Sequence, residues 1–116
     1  MLTKGLMAAS TKPLILTILG RGKNYGYEII EQVKTLSGGE LIWADGMLYP
    51  VLHKLEADKL IASEWIVKDD RKRKYYRLTE RGRKELAVEK EAWLTVHNTL
   101  MRLWDLPQTK IAVTTK

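Results

Sequence analysis

The sequence predicts a mainly α-helical fold with a two- or three-stranded β-ribbon, a winged helix-turn-helix followed by one long C-terminal helix. Three observations predict it. Leu48, Leu52 and Leu55 form an inward helical stripe just before residues 61–67, where Ser63, Trp65 and Val67 alternate with Ala62, Glu64 and Ile66. Between Lys68 and Arg77 lie six cations in ten residues, flanked by strand-like stretches at 61–67 and 75–78, which puts positive charge on the tip of a hairpin. Beyond it, Leu86, Trp93 and Leu100 are seven apart, as are Val96 and Leu103, a seam over roughly three heptads of one helix.

In chain order, Leu14, Ile15, Ile18 and Leu19 recur at helical spacing, and Gly20-Arg21-Gly22 ends that element. Pro13 lies near its start or kinks a longer helix reaching back to Leu6. Asn24 is suited to cap a second helix through Leu36, with Tyr25, Ile29, Ile30 and Val33 on one side. Ser37-Gly38-Gly39 breaks that helix, and residues 40–43 suffice for one edge strand. Asp45 is a suitable N-cap for a third helix running to about Lys59. Inside it Pro50 forfeits the bond to the Gly46 carbonyl, so its first turn should be irregular. Asp69-Asp70 is the expected hairpin turn. Thr79 caps the last helix, from 80 to about 104, and Leu106-Pro107 stops it.

A chain of 116 residues supports one domain with a modest core. The expected organisation is a DNA-binding unit over 1–79, a dimerisation helix over 80–106 and a flexible tail over 107–116. A net charge of +6 favours an anionic partner without specifying a fold. The absence of cysteine excludes disulfides, thiolate metal sites and thiol nucleophiles. No signal peptide and no bilayer-spanning apolar run is evident, so a cytoplasmic protein without a membrane partner is expected. His53 and His97 stand far apart with no metal-ligand spacing, and Gly20-Arg21-Gly22 lacks a phosphate-loop ending. Neither catalysis, nor a metal, nor a cofactor is therefore expected.

A winged helix-turn-helix lays its third helix in the major groove while the ribbon grips flanking phosphate or minor groove. The outward face of that helix should include Gly46, Tyr49, Pro50, His53, Lys54 and Ala57. Tyr49 and Lys54 suit phosphate or sugar, and His53 suits phosphate or a base edge. Arg71, Lys72, Arg73 and Lys74 are the wing cations. Tyr75 and Tyr76 must point to opposite sides; Leu78, two beyond Tyr76, turns Tyr76 inward and leaves Tyr75 for DNA. On the last helix, Leu86, Trp93, Val96, Leu100, Leu103 and Trp104 exceed what one side of a small domain can cover; a homodimer is the simplest explanation, and packing against the first helix, alone or with it, is the other. Trp93, with His97 one turn later, has two readings: the lining of a pocket for a flat aromatic ligand, or plain interface core. The other function class compatible with these features is a protein-protein interaction module whose basic wing meets an acidic partner.

Tyr25-Gly26-Tyr27-Glu28-Ile29-Ile30, Leu48-Tyr49-Pro50-Val51-Leu52-His53-Lys54-Leu55-Glu56, and Arg73-Lys74-Tyr75-Tyr76-Arg77-Leu78-Thr79 with Gly82 resemble the PadR family of bacterial transcriptional regulators. The resemblance extends over about residues 13 to 104 and is to the small subgroup with a single C-terminal dimerisation helix. It implies a dimeric winged-helix repressor acting on a palindromic operator. Tyr49, Lys74 and Tyr75 fall where the family contacts DNA. Trp93 falls where drug-binding members line a cavity between subunits, which implies relief of repression by a drug-like aromatic effector. Three positions depart from the family pattern: Met47 replaces a usual Thr, Lys59 a usual Gly, and Asp69-Asp70 a Gly-rich wing turn.

Overall fold

In the computed structural model, which describes residues 2–107, a helical trio carries a small sheet and one projecting helix. Helix α1 (Lys4–Gly20) continues unbroken through Pro13, so the longer of the two expected helices is realised. The Thr3 side chain caps it by accepting from the Leu6 N–H at 3.2 Å. Ile15, Leu16 and Leu19 of α1 are buried in the core.

After α1, the chain forms β1 (Asn24–Tyr25) and enters α2 (Gly26–Leu36) directly. Asn24 is therefore not the cap that the sequence predicts. Tyr25 occupies the N-cap position without a side-chain bond, while Asn24 Oδ1 accepts from the Tyr25 N–H at 2.9 Å. Sheet pairing outweighed capping here: Asn24 and Tyr25 sit opposite Tyr76 and Tyr75. This pairing also corrects the expected edge strand at 40–43. Those residues are irregular, and Trp43 among them is buried as an anchor for the loop. The hairpin edge that carries Tyr75 and Tyr76 is taken by the residues leaving α1.

Helix α3 (Asp45–Ala57) begins one residue earlier than predicted, with Ala44 rather than Asp45 at the N-cap position and Asp45 inside the first turn. Asp45 makes no capping bond, though its charge still suits the positive end of the helix. The Ala44 carbonyl accepts from both Met47 and Leu48 N–H groups at 3.0 Å, the mixed geometry of an uneven first turn. Leu48, Leu52 and Leu55 are buried, as their spacing predicts. The helix ends in a doubly bonded turn, with Leu60 N–H donating to the Leu55 carbonyl and Lys59 N–H to that of Glu56. Lys59 itself takes the left-handed conformation, φ 63°, where glycine would fit without strain.

Strands β2 (Ile61–Lys68) and β3 (Arg71–Leu78) form an antiparallel hairpin, and β3 lies between β2 and β1. The turn is Asp69-Asp70 with φ of 53° and 60°, the positive values that two-residue hairpin loops demand. Helix α4 (Glu80–Asp105) follows at once. Thr79 fastens its start: the hydroxyl accepts from Gly82 N–H at 3.0 Å, and its proton lies between the Lys59 and Leu60 carbonyls at 2.7 and 3.0 Å. Gly82 is required at this corner, because a Cβ there would lie 2.0 Å from the Leu60 carbonyl oxygen. Lys12 of α1 pairs with Glu85 and Glu89 on α4. Of the expected tail, residues 108–116 lie outside the described residues. Among the described residues no helix is long and apolar enough to cross a membrane.

Candidate nucleic-acid interface

One wall of the interface is the solvent side of α3. Gly46, Tyr49, Pro50, His53, Lys54 and Ala57 are all exposed there, opposite the buried leucines. The other wall is one face of the wing, fixed by its register. Ile61, Ser63, Trp65 and Val67 of β2 pair with Leu78, Tyr76, Lys74 and Lys72 of β3. Alternation puts all eight on the same side of the ribbon. The Ser63 hydroxyl donates to Glu56 Oε2 of α3 at 2.5 Å, so that side faces α3. Ile61, Tyr76 and Leu78 close the core, and Trp65, Val67, Lys72 and Lys74 continue the same face past it into solvent.

Between the walls lies a cleft of about 380 Å³ bordered by Tyr25, Tyr27, Tyr49, His53, Trp65, Lys72, Arg73 and Lys74. No carboxylate lines it among the described residues. Aromatic faces hold the cations. Arg73 stacks 4.5 Å from the Tyr25 ring centroid, Lys72 lies 5.3 Å from that of Trp65, and Lys74 lies 5.7 Å from that of Tyr76. Each such contact contributes about 0.5–1 kcal/mol at exposed sites while leaving the N–H groups able to meet phosphate.

The structure divides the basic run rather than gathering it at the hairpin tip. The run lies along β3, so Lys72 and Lys74 face α3 while Arg71, Arg73 and Arg77 start from the opposite side. Only Asp69-Asp70 occupies the tip. Tyr76 is inward, as expected, and burial with Glu56 nearby pushes its hydroxyl pKa above the ordinary value. Tyr75 lies on the other face, but it is half-buried and packs edge-on against Tyr25 at 5.2 Å. The neighbour that occupies it was legible as a motif residue, but not as a partner of the wing.

Tyr49 lies back against the start of α2. A Cβ on Gly26 would sit 2.5 Å from the Tyr49 hydroxyl, so only glycine lets the ring rest there. Lys54 is 3.5 Å from Asp58, an exposed pair one turn apart that competes weakly for its charge. His53 opens onto the cleft. Sequence reasoning did not single out Tyr27 or Trp65 as site residues, although alternation along β2 puts Trp65 on the same face as Ser63.

The residues expected at a dimer or effector site lie on α4. Leu86 packs on the core, and Trp93 is half-buried at an apolar groove of about 470 Å³ between α1 and α4, with Leu6, Pro13, Leu14 and Leu94. His97 does not line that groove and is exposed, as are Val96, Leu100, Leu103 and Trp104.

A family model described as the transcriptional regulator PadR-like family matches residues 15–88. Transcriptional regulator Rv3488 of Mycobacterium tuberculosis is 51% identical over 47 residues, 40% of this chain and 44% of the relative, so the match spans less than half of that regulator. Among solved structures, a PadR-like transcriptional regulator from Bacillus cereus is similar at a TM-score of 0.81 and 27% identity, covering 90% of this chain and 100% of that one. A PadR family transcription regulator from Clostridium difficile is similar at a TM-score of 0.73 and 30% identity, over 82% and 98% of the two chains.

Proposed function

Because the chain belongs to the PadR-like family of transcriptional regulators, which are not enzymes, we propose that it is a cytoplasmic, homodimeric repressor that binds a palindromic DNA site. The carrying observation is the cleft between α3 and the wing, walled by cations and aromatic rings and lined by no carboxylate among the described residues. A duplex set against α3 offers base edges to that helix and sends one sugar-phosphate strand between helix and wing. Tyr49 and His53 then stand nearest the bases. Lys54 on α3 and Lys72, Arg73 and Lys74 in the cleft serve backbone positioning, and Arg71 and Tyr75 serve it from the other face of the wing; such contacts fix register but carry no sequence information. The Asp69-Asp70 tip opposes deep insertion, since both carboxylates approach phosphates first.

Residues 1–79 form the DNA-binding unit of this proposal, and 80–106 form the dimerisation helix. The apolar residues exposed on the outer half of α4, Val96, Leu100, Leu103 and Trp104, support a seam with a second copy that begins at Leu86 and Trp93. Trp93 also supports an effector site for a flat aromatic or drug-like molecule at the dimer centre, with His97 at its edge. Such a ligand would act by favouring one spacing of the two recognition helices, because only the spacing that matches the half-sites binds well.

The DNA reading is tested by titrating the protein on duplex at several salt concentrations. A dimer neutralising roughly six to ten phosphates should give a slope of log affinity against log salt of about −5 to −9. A slope near zero overturns it.

A further inference from the structure

The cleft contains a large side chain whose exposure exceeds what holding one wing cation requires. Trp65 leaves 61% of its surface exposed, and Val67 on the same face leaves 71%. The core under the ribbon is already closed by Ile61, Tyr76 and Leu78, so the indole covers nothing essential. It faces α3 through the alternation that also aims Ser63 at Glu56. Lys74 stands directly opposite it across the ribbon, and the Lys72 ammonium lies 5.3 Å from its ring centroid.

A nucleic-acid strand alternates charged phosphates with less polar sugars, and this wall alternates ammonium groups with an apolar ring in the same way. A phosphate held by Lys72 or Lys74 brings its neighbouring deoxyribose onto the indole. We propose that Trp65 is a strand-holding residue whose ring packs on the DNA backbone between α3 and the wing, adding affinity that depends neither on sequence nor on salt. This inference rests on the DNA reading above. It assigns Trp65 a role beyond its contact with Lys72. Apolar contact releases no counterions, so its signature is separable from that of every lysine around it.

The test uses the full chain on a mixed-sequence duplex of about 30 base pairs, roughly three helical turns, with binding measured at several salt concentrations. Trp65→Thr removes the ring and Trp65→Tyr retains one; both suit a strand, so the wing should fold in each. Trp65→Thr should lose about tenfold in affinity at every salt concentration with an unchanged slope, as expected when an apolar ring loses part of its burial against sugar. Trp65→Tyr should stay within about threefold of wild type. Lys72→Ala provides the contrast, since losing one phosphate contact from each protomer of the dimer should make the slope shallower by about 2. Three results overturn the inference while leaving the DNA reading intact: Trp65→Thr within about twofold of wild type, a loss accompanied by the Lys72→Ala change in slope, which would make Trp65 only a prop for Lys72, or a changed sedimentation state, which would assign the ring to contact between copies. If the wild-type chain binds no duplex, the DNA reading itself fails.

Discussion

From Glu80 to Trp93, helix α4 is held by the rest of the chain. Thr79 and Gly82 lock its first turn to the corner between α3 and β2, Lys12 grips Glu85 and Glu89, and Leu86 packs on the core. From Leu94 to Asp105, every residue is exposed, although Leu94, Val96, Leu100, Met101 and Leu103 continue an apolar surface. The molecule is consequently long, 64 Å by 30 Å by 22 Å. One heptad spacing thus runs through two environments. A seven-residue period shows that a helix face will be covered; it does not show whether the covering comes from the same chain.

The most severe way to break the comparison is at the anchored end. Gly82→Val forces a branched side chain into the space 2.0 Å from the Leu60 carbonyl oxygen. It should cost about 3 kcal/mol or more in a denaturant titration. A loss under about 1 kcal/mol would mean that the corner can slide to make room. At the other end, Leu100→Glu with Leu103→Glu should leave the secondary structure intact by circular dichroism and yield a monomer in sedimentation. Affinity for a two-half-site duplex should then drop about a hundredfold, since the half-sites no longer bind as a linked pair. A surviving dimer would move the seam away from the outer half of α4.

A smaller change sharpens the contrast from the anchored side. Lys59 holds φ 63° while its carbonyl receives the Thr79 hydroxyl, so the corner carries a strained residue. Lys59→Gly should raise stability by about 1 kcal/mol by relieving the left-handed strain, somewhat offset by the greater freedom of glycine in the unfolded chain. No gain in a paired thermal and denaturant comparison would show that the lysine stem recovers the strain through packing. Neither the outer half of α4 nor its oligomeric state should respond to this substitution.

The elements that sequence reasoning located best were those whose signals agree locally. The Leu48, Leu52 and Leu55 stripe, the Asp69-Asp70 turn and the Thr79 cap each depend on residues within a few positions of one another. The misreadings came from partners distant in sequence. Asn24 has the chemistry of a helix cap, yet the open edge of β3 drew Asn24 and Tyr25 into the sheet. Residues 40–43 have strand-like composition, but the edge of β3 is taken by β1 and they join no sheet. Pro13 sits inside α1 without ending it: beyond it Ile15, Leu16 and Leu19 hold the helix on the core, while the turns before it continue the same helix largely exposed. At the interface, the charge was plain in the sequence, but its division between two faces of β3 depended on the register. Trp65 was legible as a strand residue, and its place in the cleft needed the pairing of β2 with β3.

The contact between Gly26 and Tyr49 sets a rule of inheritance for this molecule. A residue at the start of one helix and a residue on the face of the next occupy a single shared volume, so position 26 can gain a side chain only if position 49 turns away or becomes smaller. In descendants of this chain the two sites should change together or not at all. Any programme that diversifies the outer face of α3 to retarget it would have to vary Gly26 in the same library.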